Sequence, residues 1–474
     1  MDYKKYITLF GCFIVGALLQ TGYAQSNVNP INGSTVQAKI WSKDEAKQVQ
    51  YSDWKNFTAT TINDLTEFKT ANSKLDKYGG LATIKTKAAG FYRTELLNGR
   101  WWVIDPVGHP ISITAVNSIR LGKSDNNESA MSQQFGDKKN WITVTINTLQ
   151  QLGFNTAGSW SDTAAIIEYN KNAAFPFAYT TQLNLLSGYA AAAKKKDKSR
   201  KNNSILSFLL DDGFAEYCKE QAKKLSVLKN DSNVLGHFSD NELPFTHTAF
   251  KDIVTVDDKT DKCYVAALQW MKEKEVDENT ISKAQKEEFI GWLAGKYFET
   301  VSKAIKQYDP NHLFIGSRLH SSAKNNPHIF KAANAFVDII SINYYGEWQP
   351  KEDHIANWAN WSSKPFFITE FYTKAEETGM SNLSGAGWIV KTQTDRGLHY
   401  QNFCLQLLKA KNCVGWHWFR YQDNDPADAS ADASNKDSNK GLVNTQYNVY
   451  EQLSQKMKEI NNQKYSLINF LDQK

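Results

Sequence analysis

From Ile111 onward, short apolar runs with strand character alternate with longer runs of helical periodicity, and this rhythm leaves few architectures open to the chain. Strands are read at Ile111 to Asn117, Phe154 to Trp160, Phe175 to Leu183, Val234 to Phe238, Leu313 to Arg318, Val337 to Tyr345, Lys364 to Phe371 and Val414 to Tyr421. Between them lie helical stretches: Lys138 to Leu152, which stops at Gly153; Phe214 to Leu228, with Phe214, Tyr217, Cys218, Ala222 and Leu225 at helical spacing; Lys286 to Tyr308; and Gln393 to Lys409. A helix from Tyr447 to Gln463 closes the chain. Eight strands separated by helices predict an α/β fold of the (β/α)8 TIM-barrel type, whose working face lies at the C-terminal ends of the strands. Just before the barrel, Asp105-Pro-Val-Gly108 has the residues of a tight turn and predicts a hairpin.

A chain of 474 residues accommodates one such barrel with extensions. Lys4 and Lys5 precede an apolar run, Tyr6 to Leu19, too short for a comfortable membrane span and closing on Gly22-Tyr23-Ala24. Residues 1–24 are therefore expected to be a signal peptide cleaved after Ala24, giving a secreted or periplasmic protein with no membrane attachment after cleavage. Residues 25–90, polar with scattered aromatics, predict a short β-rich extension without recognisable chemistry, and residues 91–474 the catalytic barrel. A net charge of +5 is too mild to argue for a nucleic-acid partner. Cys218, Cys263, Cys404 and Cys413 show no metal-knuckle spacing and read as buried free thiols. The nine histidines form no His-x-x-x-His pair on a helix and no Gly-rich phosphate loop follows a strand, so neither a metal nor a cofactor is expected.

Two strands end in glutamate. Val234-Leu-Gly-His-Phe238 runs into Ser239-Asp240-Asn241-Glu242, a group of acceptors that would be wasted at a buried strand end unless they face a ligand. Pro365-Phe-Phe-Ile-Thr369 runs into Glu370. In the predicted barrel these are the ends of the fourth and seventh strands, on one face. A pair of carboxyls so placed suits glycoside cleavage, one protonated to release the leaving oxygen and one ionised to attack the sugar.

With these pieces in hand the chain resembles the clan A glycoside hydrolases, and within them the β-agarase family and its agarase-like relatives. The resemblance rests on Gly99 to His109, Gly236 to Leu243, Tyr308 to Leu313, Ile342 to Tyr345, Pro365 to Phe371 and Gly415 to Tyr421, and spans roughly residues 90 to 450. It implies a retaining β-glycosidase in which Glu242 is the general acid/base, Glu370 the nucleophile and Asn241 the amide that holds the neighbouring hydroxyl. It also implies a tyrosine donor to Glu370, for which Tyr344 and Tyr345 are both candidates. Trp416 and Trp418 share one face of the eighth strand, with Trp418 expected as the floor under the sugar and Trp416 as core. Asp423 and Asn424 are candidate hydroxyl ligands. Where many clan A enzymes end their second strand in arginine, this chain has Gly158-Ser-Trp-Ser-Asp162, leaving Arg318 or Arg120 to supply the charge.

The substrate implied is a β-linked galactose-containing polysaccharide or oligosaccharide. Lys194-Lys-Lys-Asp-Lys-Ser-Arg-Lys201 reads as a solvated loop or, failing that, as a feature favouring an anionic chain. The catalytic pair alone leaves open a clan A β-glucanase or β-mannanase, and a non-catalytic carbohydrate-binding barrel is a further alternative.

Overall fold

In the computed structural model, residues 33–44, 49–431 and 436–473 are described, so the expected signal peptide lies outside the described residues. The eight barrel strands are β1 (Ile113–Val116), β2 (Thr156–Ala157), β3 (Ala178–Gln182), β4 (Val234–Phe238), β5 (Leu313–Phe314), β6 (Ile340–Asn343), β7 (Phe366–Phe371) and β8 (Cys413–Trp418). All neighbouring pairs are parallel, in the order β5-β4-β3-β2-β1-β8-β7-β6. A parallel bridge from Leu319 to Ile342 joins the two edges, so the sheet closes into the predicted barrel. Several strands are shorter than the apolar runs that announce them: β2 and β5 keep two residues each of the stretches Phe154 to Trp160 and Leu313 to Arg318. Past their ends the chain leaves the ladder and brings Trp160 and Arg318 to the site.

Helices cover the barrel, and several of them start at a side-chain cap. Lys283–Tyr308 starts at a capping box in which the Ser282 hydroxyl accepts from Gln285 N–H, and Gln393–Lys409 starts at the corresponding Thr392/Asp395 box. Phe214–Ala222 continues as a 3-10 turn over Lys223–Val227, and the closing helix runs over Glu451–Asp472. Inside the barrel Ile113, Ala115, Ala178, Leu235, Phe238, Ile315, Phe367 and Val414 form one apolar cluster, continuous at the base with Tyr78 and Tyr92. The four cysteines of the barrel are buried and free, as read.

The Asp309-Pro-Asn-His312 segment has a structural task. Asp309 Oδ2 accepts from His237 Nε2 at 2.8 Å and His312 Nδ1 at 2.7 Å, while Oδ1 takes the backbone N–H groups of Asn311 and His312. These bonds hold the Asp309 carboxyl far below the carboxylate range, against the effect of its burial. The cluster locks β4 to the entry of β5, and both strands end at the site.

The extension is more than a lead-in. Its strand Ser34–Lys39 pairs with Lys55–Ala59 and with Trp388–Val390, a strand of the segment after β7, and its hairpin Trp41–Lys43/Val49–Tyr51 reaches the barrel mouth. Just past the ends of β1 to β5 stand five non-glycine residues with left-handed backbone: Ser118 (φ 56°), Trp160 (62°), Asn184 (56°), Glu242 (52°) and Arg318 (51°).

Candidate active site

The end of β4 divides its polar residues between scaffold and cleft. Asp240 faces away from the cleft: its carboxylate takes the N–H groups of Leu186 and Ser187 at the start of helix Leu185–Lys196, and the Tyr297 hydroxyl at 2.8 Å. Tyr297 also bonds Ser239. The expectation that all four acceptors face a ligand is therefore corrected, because Ser239 and Asp240 spend their bonds on packing β4 against its neighbours. The left-handed turn at Glu242 then swings Asn241 and Glu242 to the open end of the barrel. Asn343 Nδ2 donates to Glu242 Oε1 at 2.7 Å and to Asn241 Oδ1 at 3.2 Å.

Glu370 reaches the same place through a bulge. Along β6 and β7, Ile342 pairs with Ile368 but Asn343 pairs with Glu370, so Thr369 is the extra residue. Without it, alternation would send Glu370 outward with Phe366 and Ile368, residues of the outer core. The bulge is fastened by its own groups: Thr369 O accepts from Arg318 Nη2 at 3.0 Å and from Asn117 Nδ2 at 2.8 Å, and Thr369 Oγ1 donates to Asn343 Oδ1.

Arg318 Nη2 bonds Glu370 Oε1 at 2.6 Å and the Tyr345 hydroxyl donates to Oε2 at 2.5 Å, so both carboxyl oxygens are held. Burial raises the Glu370 carboxyl above its ordinary value; the Arg318 guanidinium pulls it down, nearby Glu242 pushes it further up, and the Tyr345 O–H pulls it down again. Tyr345 itself, pushed well up by burial and by Glu370, stays a protonated donor. The two glutamates thus sit in unlike settings, with side-chain exposure of 7% for Glu370 and 31% for Glu242.

Both line one cleft of about 450 Å³, together with Asn241, His320, Tyr345, Arg120 and the rings of Trp41, Trp160, Tyr372 and Phe419. Flat rings beside paired carboxyls suit a sugar, whose C–H faces stack on aromatic surfaces. The crystal structure of BpGH50 superposes on this chain with a TM-score of 0.82 and 31% sequence identity, covering 93% of this chain and 96% of that one. The chain belongs to glycoside hydrolase family 50.

Other comparisons agree with family 50 at greater distance. β-Agarase B and β-agarase A of Vibrio sp. (strain JT0107) are each 24% identical over 82% and 90% of this chain, which spans about half (50%) of the length of either. The structure of the agarase AgWH50C shares the fold with a TM-score of 0.69 at 20% identity, over 84% of this chain and 67% of that one. No family model matches the chain.

Within the family-50 barrel, Glu242, Glu370, Asn241, Arg318, Tyr345 and Arg120 converge, whereas Tyr344, Trp416, Trp418, Asp423 and Asn424 do not. Of the two tyrosines, Tyr344 points away, its hydroxyl bonded to His354 Nδ1 and Lys351 N. Trp416 and Trp418 are buried outside the barrel wall: Trp416 Nε1 donates to Tyr400 OH, and Trp418 packs edge-on against Phe371 and Tyr400. Alternation correctly grouped them, but a register shift against β7, where Phe366 pairs with Cys413 and Phe367 with Gly415, reverses which face points inward. His417 and Phe419 take the inner face instead, His417 packing on Phe367 and Phe238. A side chain at Gly415 would meet Ile113 O at 2.3 Å, so the close approach requires glycine.

Asp423 and Asn424 are also corrected. Asp423 is buried among Asn439 Nδ2, Gly441 N–H and the Tyr450 hydroxyl, and Asn424 Oδ1 accepts from Arg420 Nη1. Both brace the loop after β8. The basic run ends helix Leu185–Lys196, with Arg200 paired to Asp211 and Asp261, and none of it lines the cleft.

Asn343, which bonds Asn241 and Glu242, went unassigned in the sequence, as did the cleft residues His320, Trp160, Trp41 and Tyr372. Asn343 sits inside the Ile342-Asn-Tyr-Tyr345 piece, where its place at the strand's end was the available signal. Trp160 carries the Arg318 guanidinium over its ring at 4.4 Å, a contact between the ends of β2 and β5 that spacing cannot reveal.

Proposed function

We propose that the chain is an exported retaining β-glycoside hydrolase that cleaves a β-linked galactose-containing polysaccharide or its oligosaccharides by double displacement. The observation that carries this reading is the convergence of two differently held carboxyls, Glu242 under Asn343 and Glu370 between Arg318 and Tyr345, in one aromatic-lined cleft. In the first step Glu370 attacks the anomeric carbon while Glu242 gives its proton to the departing glycosidic oxygen. In the second, Glu242 takes a proton from the water that displaces Glu370. The chemistry asks for carboxyls ~5 to 5.5 Å apart, one ionised and one protonated. Arg318 and Tyr345 favour ionised Glu370, and the greater exposure of Glu242 suits proton delivery to an incoming chain. Asn241 is proposed to hold the hydroxyl beside the anomeric carbon. Galactans are the favoured class because family 50 contains agarases and the two Vibrio relatives are β-agarases.

The test is a panel of red-algal and plant polysaccharides with NMR of the first product formed. Release of β-configured galactose-terminated product from a galactan is the expected result. Cleavage confined to glucans or mannans would overturn the substrate class, and an initial α product would overturn retention.

Tyr345→Phe probes the electrostatics separately. Loss of a donor that favours ionised Glu370 raises that carboxyl's pKa, so the acidic limb of kcat/KM should move to higher pH by about one unit. An unmoved limb would remove Tyr345 from this role.

A further inference from the structure

The barrel face opposite the cleft carries a groove of its own. Residues 153–155 lead into β2 and residues 175–176 into β3, so this is the N-terminal end of the strands. A groove of about 700 Å³ lies there between residues 75–79 of the extension, the end of helix Lys138–Gln151 and the closing helix at residues 461–465. A further depression of about 720 Å³ adjoins it, and the two share Asn147, Gln150 and Phe175. Phe175 therefore stands on the divide between them.

Phe175 is 60% exposed and, among the described residues, stacks on no other ring and lies under no cation. Trp292, 40% exposed, differs in both respects: it lies on Phe289 and beneath Lys296. The bare ring is nonetheless held in place by its backbone. Phe175 O accepts from Gln150 Nε2 at 2.9 Å, and two residues on Asn170 brackets buried Phe177, its Oδ1 taking the N–H at 2.8 Å and its Nδ2 donating to the carbonyl at 2.9 Å. A fastened loop thus presents an apolar face to water.

Around the ring the groove is rich in amides with bonding capacity left over. Asn72, Gln151 and Asn462 are exposed and make no side-chain hydrogen bond among the described residues. Gln463 accepts Ala71 N–H on Oε1 and keeps Nε2, Gln150 keeps Oε1, and Asn147 accepts the Tyr169 hydroxyl on Oδ1 and keeps Nδ2. Charge is scarce. The Lys464 ammonium is buried on Thr114 Oγ1, and Asp76 spends Oδ1 on the N–H groups of Tyr78 and Gly80 with Oδ2 buried, which leaves Lys77.

We propose that the groove at Phe175 is a second, non-catalytic site for a carbohydrate chain, in which a sugar lies on the Phe175 ring and its hydroxyls bond the surrounding amides. A pyranose offers a C–H face to stack and adjacent hydroxyls that each donate and accept, and amide side chains meet such pairs because they too carry both functions. A nucleic acid or an anionic lipid surface would need cations that the groove lacks. The galactan as ligand rests on the reading above; the site itself does not. Because groove and cleft lie at opposite ends of the barrel, a short oligosaccharide does not reach both, and the site serves polymers by keeping the enzyme near the chain it cleaves.

Titration of an agarose-derived hexasaccharide into Glu370→Ala, where no cleavage intervenes, should give two binding sites per chain, and into Glu370→Ala/Phe175→Ala one. With Glu370 intact, Phe175→Ala should keep kcat/KM on the hexasaccharide within about twofold of wild type and lose about fivefold on dissolved low-melting agarose below saturation. Gln151→Ala/Asn462→Ala should lose about twofold to threefold on the polymer alone. One site in both Glu370 variants, or equal losses on hexasaccharide and polymer, overturns the proposal. Self-association of wild type that Phe175→Ala abolishes also overturns it, since the face would then be a protein contact. Failure of the galactan reading looks different: wild type leaves both agarose substrates uncleaved, and the polysaccharide selected by the panel takes their place in the same titration and rate comparison.

Discussion

Glu370→Ala is expected to lower turnover by ~10⁴-fold or more, on activated aryl glycosides as much as on natural chains, because a good leaving group cannot replace a missing nucleophile. Glu242→Ala should behave otherwise. An activated leaving group departs without a proton, so the first step survives, the glycosyl-enzyme accumulates, and release becomes limiting. Azide, small enough for the space the carboxylate vacates, should then restore release as a β-glycosyl azide. If azide rescues Glu370→Ala at all, the product should be the opposite anomer, since attack now comes directly on the substrate. Rates on the two substrate types with and without azide, and NMR of the azide adduct, check this. Identical behaviour of the two variants would refute the roles, and full activity in either would refute the site.

Arg318→Ala should be costly in stability as well as rate. The guanidinium is fully buried, bonded to Glu370 Oε1 and to the bulge carbonyl of Thr369, and flanked by Trp160 and Phe238. Removing it strands a buried carboxyl and unfastens the bulge, which by the behaviour of broken buried pairs costs about 3 to 5 kcal/mol. The surviving Glu370 also loses the group that pulls its pKa down, so any residual activity should have its acidic limb displaced to higher pH. Chemical denaturation of Arg318→Ala against the double variant Arg318→Ala/Glu370→Gln isolates the coupling. The double variant should recover part of the loss, because its amide needs no cation; no recovery would mean that the arginine serves packing alone.

The barrel was legible in the sequence because its signal is repeated. Most strand runs are apolar and the runs between them keep helical periodicity, so eight weak readings reinforce one another. Glu242 and Glu370 were legible for a related reason: a carboxylate at the end of a fully buried strand has few structural uses. Side-chain direction was not legible wherever an extra residue interrupts a strand. The bulge at Thr369 and the shift at Gly415 each exchange inner and outer faces, and nothing in Phe-Phe-Ile-Thr-Glu-Phe marks where pairing slips. That is why Trp418 was expected under the sugar and is found against Phe371 and Tyr400. His320 and Trp41 escaped because they come from a connecting turn and from the extension, and their arrival at the cleft is settled by three-dimensional closure.

The left-handed residues just past β1 to β5 bear on how this rim could be changed. Ser118, Trp160, Glu242 and Arg318 all reach the site from a backbone torsion that β-branched and bulky side chains avoid and that glycine and asparagine tolerate best. A variant at these places meets a filter before its chemistry is tried: it must first accept the torsion, at about 1 to 3 kcal/mol for most residues. Diversity introduced there would be winnowed towards the smallest and least functional side chains. The rings that come from extended backbone or from the hairpin, Trp41 (φ unconstrained by such a turn) and Tyr372 among them, are the more permissive places to alter which sugars the cleft admits.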